Sequence, residues 1–237
     1  MVYVTADLHG LHPQALQRLL AQADFSDADV LFILGDVIDR GEYGAQLLLW
    51  LTQQPNIYLI LGNHEAQLLS CSFLFDQVND TSLDAMTVQN LGLVENWLAN
   101  GGGPTLKGFR KLLRDDPELM AGILEYLQDA PFFEQVEAGG REYILVHSGL
   151  GEHFDPRRSL RDYSPEELLF SRPSADTVYF PDKTTVFGHT PTFFYAPQQA
   201  GKPLYTGTWI NIDVGVHAGH APLLLRLDDL KEFYLDP

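Results

Sequence analysis

Val30-Leu31-Phe32-Ile33-Leu34-Gly35-Asp36-Val37-Ile38-Asp39-Arg40-Gly41 is the stretch on which the fold turns. It opens as a short β-branched and apolar run that ends in a Gly-Asp turn, the pattern of a buried strand. It closes with two acids and an arginine in that same turn. An ordinary helix entry needs one acid as its cap and has no use for an arginine held beside it. Working outward, Val2–Thr5 and Ile57–Leu61 are runs of the same kind, each followed by a turn rich in Gly, Asp or Asn. Between the runs, Pro13–Ala23 sets Leu16, Leu19, Leu20 and Ala23 at helical spacing, and Tyr43–Gln53 is a second apolar helical segment. The order β-α-β-α-β favours a parallel sheet with right-handed crossovers and ligands just beyond the carboxyl ends of its strands.

Further along, the pattern from His64 to about Pro131 is mainly helical and predicts a helical insertion at about 66–131, broken by Gln77–Ser82 and by Gly101-Gly102-Gly103-Pro104. Strand signals return at Tyr143–His147, Thr184–Phe187, Thr208–Ile212 and Leu223–Leu227, with an irregular stretch expected over Gly149–Asp182. A length of 237 residues without an internal repeat predicts one α/β domain over 1–237. With 45% hydrophobic and 20% charged residues, a disordered or collagen-like chain is excluded. The longest apolar run, Leu47–Leu51, is far shorter than the roughly 18 residues of a membrane span, so no membrane partner is expected. Met1 leads into Asp7 and His9 with no basic segment or long apolar stretch, which makes a cytoplasmic location the default expectation.

Cys71 is the single cysteine, so any metal site must draw on His, Asp, Glu or Asn. The net charge of −17 repels polyphosphate backbones and argues against extended nucleic acid. It also favours basic residues around any phosphorylated substrate site. A bound metal pair would reverse the sign inside one cleft. Donors for such a pair stand at strand ends: Asp7 and His9, two apart; Asp36; Asn63; and His147 and His189, which close later strand-like runs. Taken singly, Asp7 and His9 read as a tight turn, Asn63 as a helix cap, and each later histidine as a hydrogen-bonded group near the core. Taken together, the six give the mixed O/N set that manganese, iron or zinc prefers.

At these residues, and above all at Gly35–Gly41 with Gly62-Asn63-His64-Glu65, the chain resembles the phosphoprotein phosphatase family of calcineurin-like metallophosphoesterases, in particular its small bacterial and phage-type serine/threonine protein phosphatases. The resemblance implies a central two-layer β-sandwich flanked by helices. It implies Asp7, His9 and Asp36 on one divalent ion and Asp36, Asn63, His147 and His189 on the other, with Asp36 bridging. It also implies Arg40 and Arg172 on the phosphate, and His64, oriented by Asp39, as the general acid for the leaving alkoxide. Arg172 by itself reads equally as a surface arginine. Ala6 and Ser148 stand where the family has glycines. Trp97–Thr105, with its Asn100-Gly101-Gly102 core, is similar to a cap segment of bacterial members and receives no role. Nor do His12, His153, His217 and His220, while Asp228, Asp229, Glu232 and Asp236 read as a solvated face.

The implied activity is hydrolysis of a phosphomonoester, with a phosphorylated protein as the expected partner and a small phosphomonoester as the simpler case. One alternative is a dinucleoside polyphosphate hydrolase, whose members resemble this chain but typically lack an aspartate at the position of Asp39. Another, of a different class, is a non-catalytic, metal-dependent phosphopeptide-binding module. It could dispense with His64, which this chain keeps.

Overall fold

The computed structural model describes residues 1–75, 88–151 and 153–235. One sheet is built from β1 (Val2–Thr5), β2 (Val30–Ile33), β3 (Ile57–Leu59), β9 (Leu223–Arg226) and β10 (Lys231–Tyr234), in the order β10-β9-β1-β2-β3. The other contains β4 (Phe133–Ala138), β5 (Arg141–Val146), β6 (Lys183–Phe187), β7 (Leu204–Tyr205) and β8 (Trp209–Asn211), in the order β4-β5-β6-β8-β7. Strands β1, β2 and β3 run parallel, as do β5, β6 and β8. The expected parallel core is therefore present twice, with antiparallel strands at the flanks.

Side-chain alternation explains why both sheets are covered on each face. Val4, Leu34 and Ile60 point from the first sheet into a cluster with Leu145, Val186 and Ile210 of the second, which is the core of the sandwich. Their neighbours Tyr3, Leu31, Ile33 and Leu59 face outward against α1 (Pro13–Gln22), α2 (Gly44–Leu51) and α3 (Asn63–Ser70). Behind the second sheet, Ile144, Val146, Phe187 and Trp209 pack with Leu160, Leu168 and Tyr179.

The predicted insertion forms α4 (Val88–Ala99), α5 (Gly103–Asp115) and α6 (Pro117–Gln128). Its Trp97, Phe109, Met120, Ile123 and Leu127 lie in the same cluster as Leu47, Leu48 and Leu51 of α2, so it thickens the helical layer of the first sheet. Burying each such side chain stabilises by roughly 1.5–3 kcal/mol. The break at Gly101–Pro104 is where α4 gives way to α5. A second break, unforeseen, comes at Asp116, whose carboxylate accepts from Leu119 N and caps α6. The predicted break at Gln77–Ser82 lies outside the described residues, as does Asp236 of the acidic tail.

Gly149–Asp182 departs from the expected irregularity. It holds a short 3-10 turn at Leu160–Asp162 and α7 (Pro165–Phe170), which Ser164 and Glu167 open with a reciprocal capping box. A six-residue helix is too short to show a periodicity. Strands β4, β7 and β10 were also not foreseen, because polar residues make up half of β4 and of β10 and β7 is only two residues long. No helix among the described residues is long and apolar enough to cross a membrane.

Candidate metal centre and active site

Five strand ends deliver the site: β1 leads to Asp7 and His9, β2 to Asp36, Asp39 and Arg40, β3 to Asn63 and His64, β5 to His147, and β6 to His189. The backbone there is held in an unusual shape. Of the eight non-glycine residues with positive φ among the described residues, six are Asp7, His9, Asp36, Asp39, Arg40 and His189. Each such residue costs roughly 1–3 kcal/mol and persists only where its surroundings over-determine it. Here the turns brace one another through His9 N to Asp36 O at 2.8 Å and Gly10 N to Val37 O at 2.7 Å. A Cβ on Gly10 would run into the Gly41 carbonyl, so this approach requires glycine.

Glu65 supplies the second brace. Its buried carboxylate accepts from Asp36 N (2.8 Å), Val37 N (2.8 Å), Ile38 N (3.3 Å) and Gly62 N (3.1 Å), tying the turn after β2 to the start of α3. Burial and the neighbouring Asp36 charge push its pKa up to about 7, while these four donors favour the ionised form.

Asp36 lies at the centre. His147 Nε2 is 3.4 Å from its Oδ1, and His64 Nε2 and His9 Nε2 are 3.7 and 3.9 Å from its Oδ2. It belongs to both of the tight donor groups found among the described residues, His9–Asp36–His64 and Asp36–His147–His189. Burial penalises its charge, but His147, His64 and His9 outweigh that and hold its pKa well below the usual carboxylate range. Burial drives the histidines the other way, lowering His147, taking His9 down to about 3 and His189 to about 2, which favours the neutral imidazole, the form with a lone pair to offer.

The donor chemistry fits a cation. His147 donates its Nδ1–H to Leu34 O at 2.7 Å, which leaves Nε2 without a proton. That Nε2 faces Asn63 Oδ1 at 2.9 Å and His189 Nδ1 at 3.2 Å, and the last two are 2.8 Å apart. At most one N–H lies among three electron-rich atoms, an arrangement that a divalent ion satisfies. His9 is fixed the same way, with Nδ1–H donated to Ile38 O at 3.2 Å and Nε2 turned inward. Asp7 stands a step back, with both carboxylate oxygens accepting from His189 N at 3.0–3.1 Å.

His64 is built differently. Its Nδ1–H donates to Asp39 Oδ2 at 2.7 Å, and Trp97 Nε1–H donates to the same oxygen at 3.0 Å. Burial pulls the His64 pKa down, yet Asp36 and Asp39 prevail and hold it above the ordinary value. Arg40 places Nη1 2.9 Å from His9 Nε2 and Nη2 3.2 Å from His64 Nε2. Its counterpart Arg172 donates from Nη1 to Thr190 Oγ1 at 2.9 Å, on the turn that carries His189. All ten predicted site residues thus converge on one edge of the sandwich.

Residues 1–193 match the family described as calcineurin-like phosphoesterase. The chain belongs to that family. This phosphoesterase is 29% identical over 148 residues to serine/threonine-protein phosphatase 2 of Salmonella typhimurium, covering 62% of this chain and 57% of that one. It is 28% identical over 151 residues to the symmetrical bis(5′-nucleosyl)-tetraphosphatase of Acidovorax ebreus, covering 63% of this chain and 44% of that one. The phosphoesterase thus spans about half the length of these curated relatives. Among solved structures, a chain provisionally assigned as a diadenosine tetraphosphatase superposes with a TM-score of 0.65 over 98% of this chain and 91% of that one, at 18% identity, which speaks to the fold alone. The family uses divalent metals, and the two His/Asp groups of the phosphoesterase are where such ions could bind.

Several groups of the phosphoesterase's site escaped the sequence reading. Glu65 was legible, since it stands three residues after Gly62 at the start of α3, which is capping-box spacing. Asp213 follows β8 and was open to the same strand-end rule. It is buried, burial raises its pKa to about 7, its Oδ1 accepts from Gly215 N at 3.0 Å, and its Oδ2 has no partner among the described residues. Trp97–Thr105 is more than a connection: Trp97 holds Asp39, Thr105 Oγ1 accepts from Asp39 N at 2.9 Å, and Gly101 O accepts from Arg40 N at 2.9 Å. No local signal marks those contacts.

Proposed function

We propose that the chain is a metal-dependent phosphomonoesterase that acts on phosphoserine or phosphothreonine in proteins. The supporting observation is the buried His64–Asp39 pair, 2.7 Å apart and capped by Trp97. Serine and threonine leave as high-pKa alkoxides and need a proton, whereas a nucleotide leaves as a stable anion and does not. His9 and Asp36, with Asp7 behind them, would hold one divalent ion, and Asp36, Asn63, His147 and His189 would hold the other, with manganese suited to the mixed O/N donors. Such ions, when bound, lower the pKa of a shared water and clamp phosphate oxygens.

The chain's own residues do the rest. Arg40 turns its planar fork from His9 and His64 toward the phosphate, and Arg172, steadied by Thr190, meets a further one of its three terminal oxygens. With Arg40 engaged, His64 Nε2 is free to carry the proton that it passes to the departing oxygen, while Asp39 keeps the ring oriented. The buried walls around Asp36 and His147 keep bulk water from the cleft floor.

The likeness to symmetrical bis(5′-nucleosyl)-tetraphosphatases supports a second reading, cleavage of a dinucleoside polyphosphate. Comparing kcat/KM for a phosphothreonine peptide and for diadenosine tetraphosphate at equal manganese separates the two. A higher value for the peptide supports the first reading, and the reverse, with cleavage surviving Asp39→Ala, replaces it with the second. Metal-dependent turnover of para-nitrophenyl phosphate disposes of a silent binding module.

A further inference from the structure

Helix α5 presents Lys107, Arg110, Lys111 and Arg114 at i, i+3, i+4 and i+7, one exposed stripe, while its other side buries Thr105 and Phe109. Four of the chain's 15 basic residues stand on this stripe, in a molecule of net charge −17. Like charges at these spacings repel one another, so the stripe costs helix stability unless an anion meets it. Several bases elsewhere are matched by an acid, as in Arg158–Glu167, Lys183–Glu142 and Arg226–Asp229. Among the described residues Lys107, Arg110 and Lys111 form no ion pair, and Arg114 reaches only its exposed neighbour Asp115, a pair worth little in water.

The stripe lines a cavity of about 850 Å³ whose wall also includes Glu42 and Tyr43. Those same two residues border the cleft that holds His9 and Arg40, so cavity and cleft adjoin. Charge along that path alternates: positive at Arg40, negative at Glu42, positive at the stripe. A polyphosphate chain would carry continuous negative charge past Glu42. A polypeptide would set neutral backbone there, beside the half-exposed Tyr43 ring, and place carboxylates beyond it.

We infer that this cavity is a second anion subsite, which receives acidic side chains of the substrate polypeptide at a short remove from the phosphorylated residue. The inference rests on the phosphoprotein reading above. It reverses locally what the whole-chain charge suggests, namely a benefit from basic flanks.

The test uses the full chain with manganese and phosphothreonine peptides that carry paired glutamates at successive positions on either side of the phosphosite, with alanine as the reference. The best acidic peptide should exceed the alanine peptide in kcat/KM by about tenfold at low salt, mainly through KM, and the gain should shrink as salt rises. In a variant with Lys107→Gln, Arg110→Gln, Lys111→Gln and Arg114→Gln, checked for folding by circular dichroism, the ratio should fall to about one. If the alanine peptide is hydrolysed but acidity brings no gain, or the gain survives in the variant, the inference fails alone. If diadenosine tetraphosphate is cleaved and no peptide is, the functional reading fails and takes the subsite with it. A loss confined to diadenosine tetraphosphate in the variant assigns the stripe to polyphosphates and overturns the peptide assignment.

Discussion

Asp39→Asn isolates the charge on His64 from its geometry. Asparagine fills the same volume and its carbonyl oxygen still accepts from His64 Nδ1–H and Trp97 Nε1–H, now 2.7 and 3.0 Å from Asp39 Oδ2, so the ring stays where it is. What goes is the negative charge that helps hold the His64 pKa above its ordinary value against burial. A hydrogen bond to a charged partner contributes about 1.5–3 kcal/mol and a neutral one about 0.5–1.5; the bond survives, so the loss is the difference, about 1–1.5 kcal/mol, and at 1.36 kcal/mol per pKa unit this lowers His64 by about one unit. The sign follows from the role. A general acid acts in its protonated form, so activity is present below the His64 pKa and lost as pH rises through it. The alkaline limb of kcat for a phosphothreonine peptide should therefore move down by about one unit, with about a tenfold loss above the new limb. Para-nitrophenyl phosphate, whose leaving group needs little protonation, should lose far less. Paired pH profiles, with metal content fixed by elemental analysis, provide the measurement. Equal losses on both substrates, or an unmoved limb, would refute the role given to His64.

Asp36→Asn should abolish turnover and leave fewer than two metal ions per chain, because Asp36 belongs to both donor groups; two ions with full activity would exclude a bridging role. Arg40→Ala and Arg172→Ala should each weaken inhibition by phosphate or vanadate along with kcat/KM, and unchanged constants for Arg172→Ala would make it a structural partner of Thr190 only. Glu65→Gln turns an amide group toward the backbone N–H donors of Asp36, Val37, Ile38 and Gly62, and should destabilise by about 2–4 kcal/mol, read as a drop of roughly 5–12 °C in Tm.

Much of the site was legible because its residues sit where local chemistry changes abruptly. Val30–Gly41 passes from a strand buried on both faces to a turn of acids, and Asp7, Asn63, His147 and His189 mark the same transition at other parallel strands. Convergence then follows from topology, since strands pointing one way share an edge. The parts that escaped depend on contacts between distant positions. Trp97 meets Asp39 across 58 residues and Thr105 meets it across 66, and neither leaves a spacing in the sequence. The edge strands were hidden for another reason: with one side open to water, β4 and β10 mix glutamate, glutamine and lysine with an equal number of apolar and aromatic positions.

The six left-handed residues of the centre have a consequence for anyone wishing to make this chain more heat-resistant. Replacing a non-glycine residue at positive φ by glycine relieves strain and is a standard stabilising change, but at Asp7, His9, Asp36, Asp39, Arg40 and His189 it would delete the groups that define the site. Among the described residues only Asp24 and Leu230 share that backbone shape outside it. Leu230 packs against the sandwich core, so its side chain cannot be spared, whereas Asp24→Gly, at the exposed turn that ends α1, should raise the melting temperature by a few degrees with activity intact, for a gain of about 1 kcal/mol. For backbone relief of this kind, the engineering room lies in one exposed turn, and the functional edge keeps its tension by necessity.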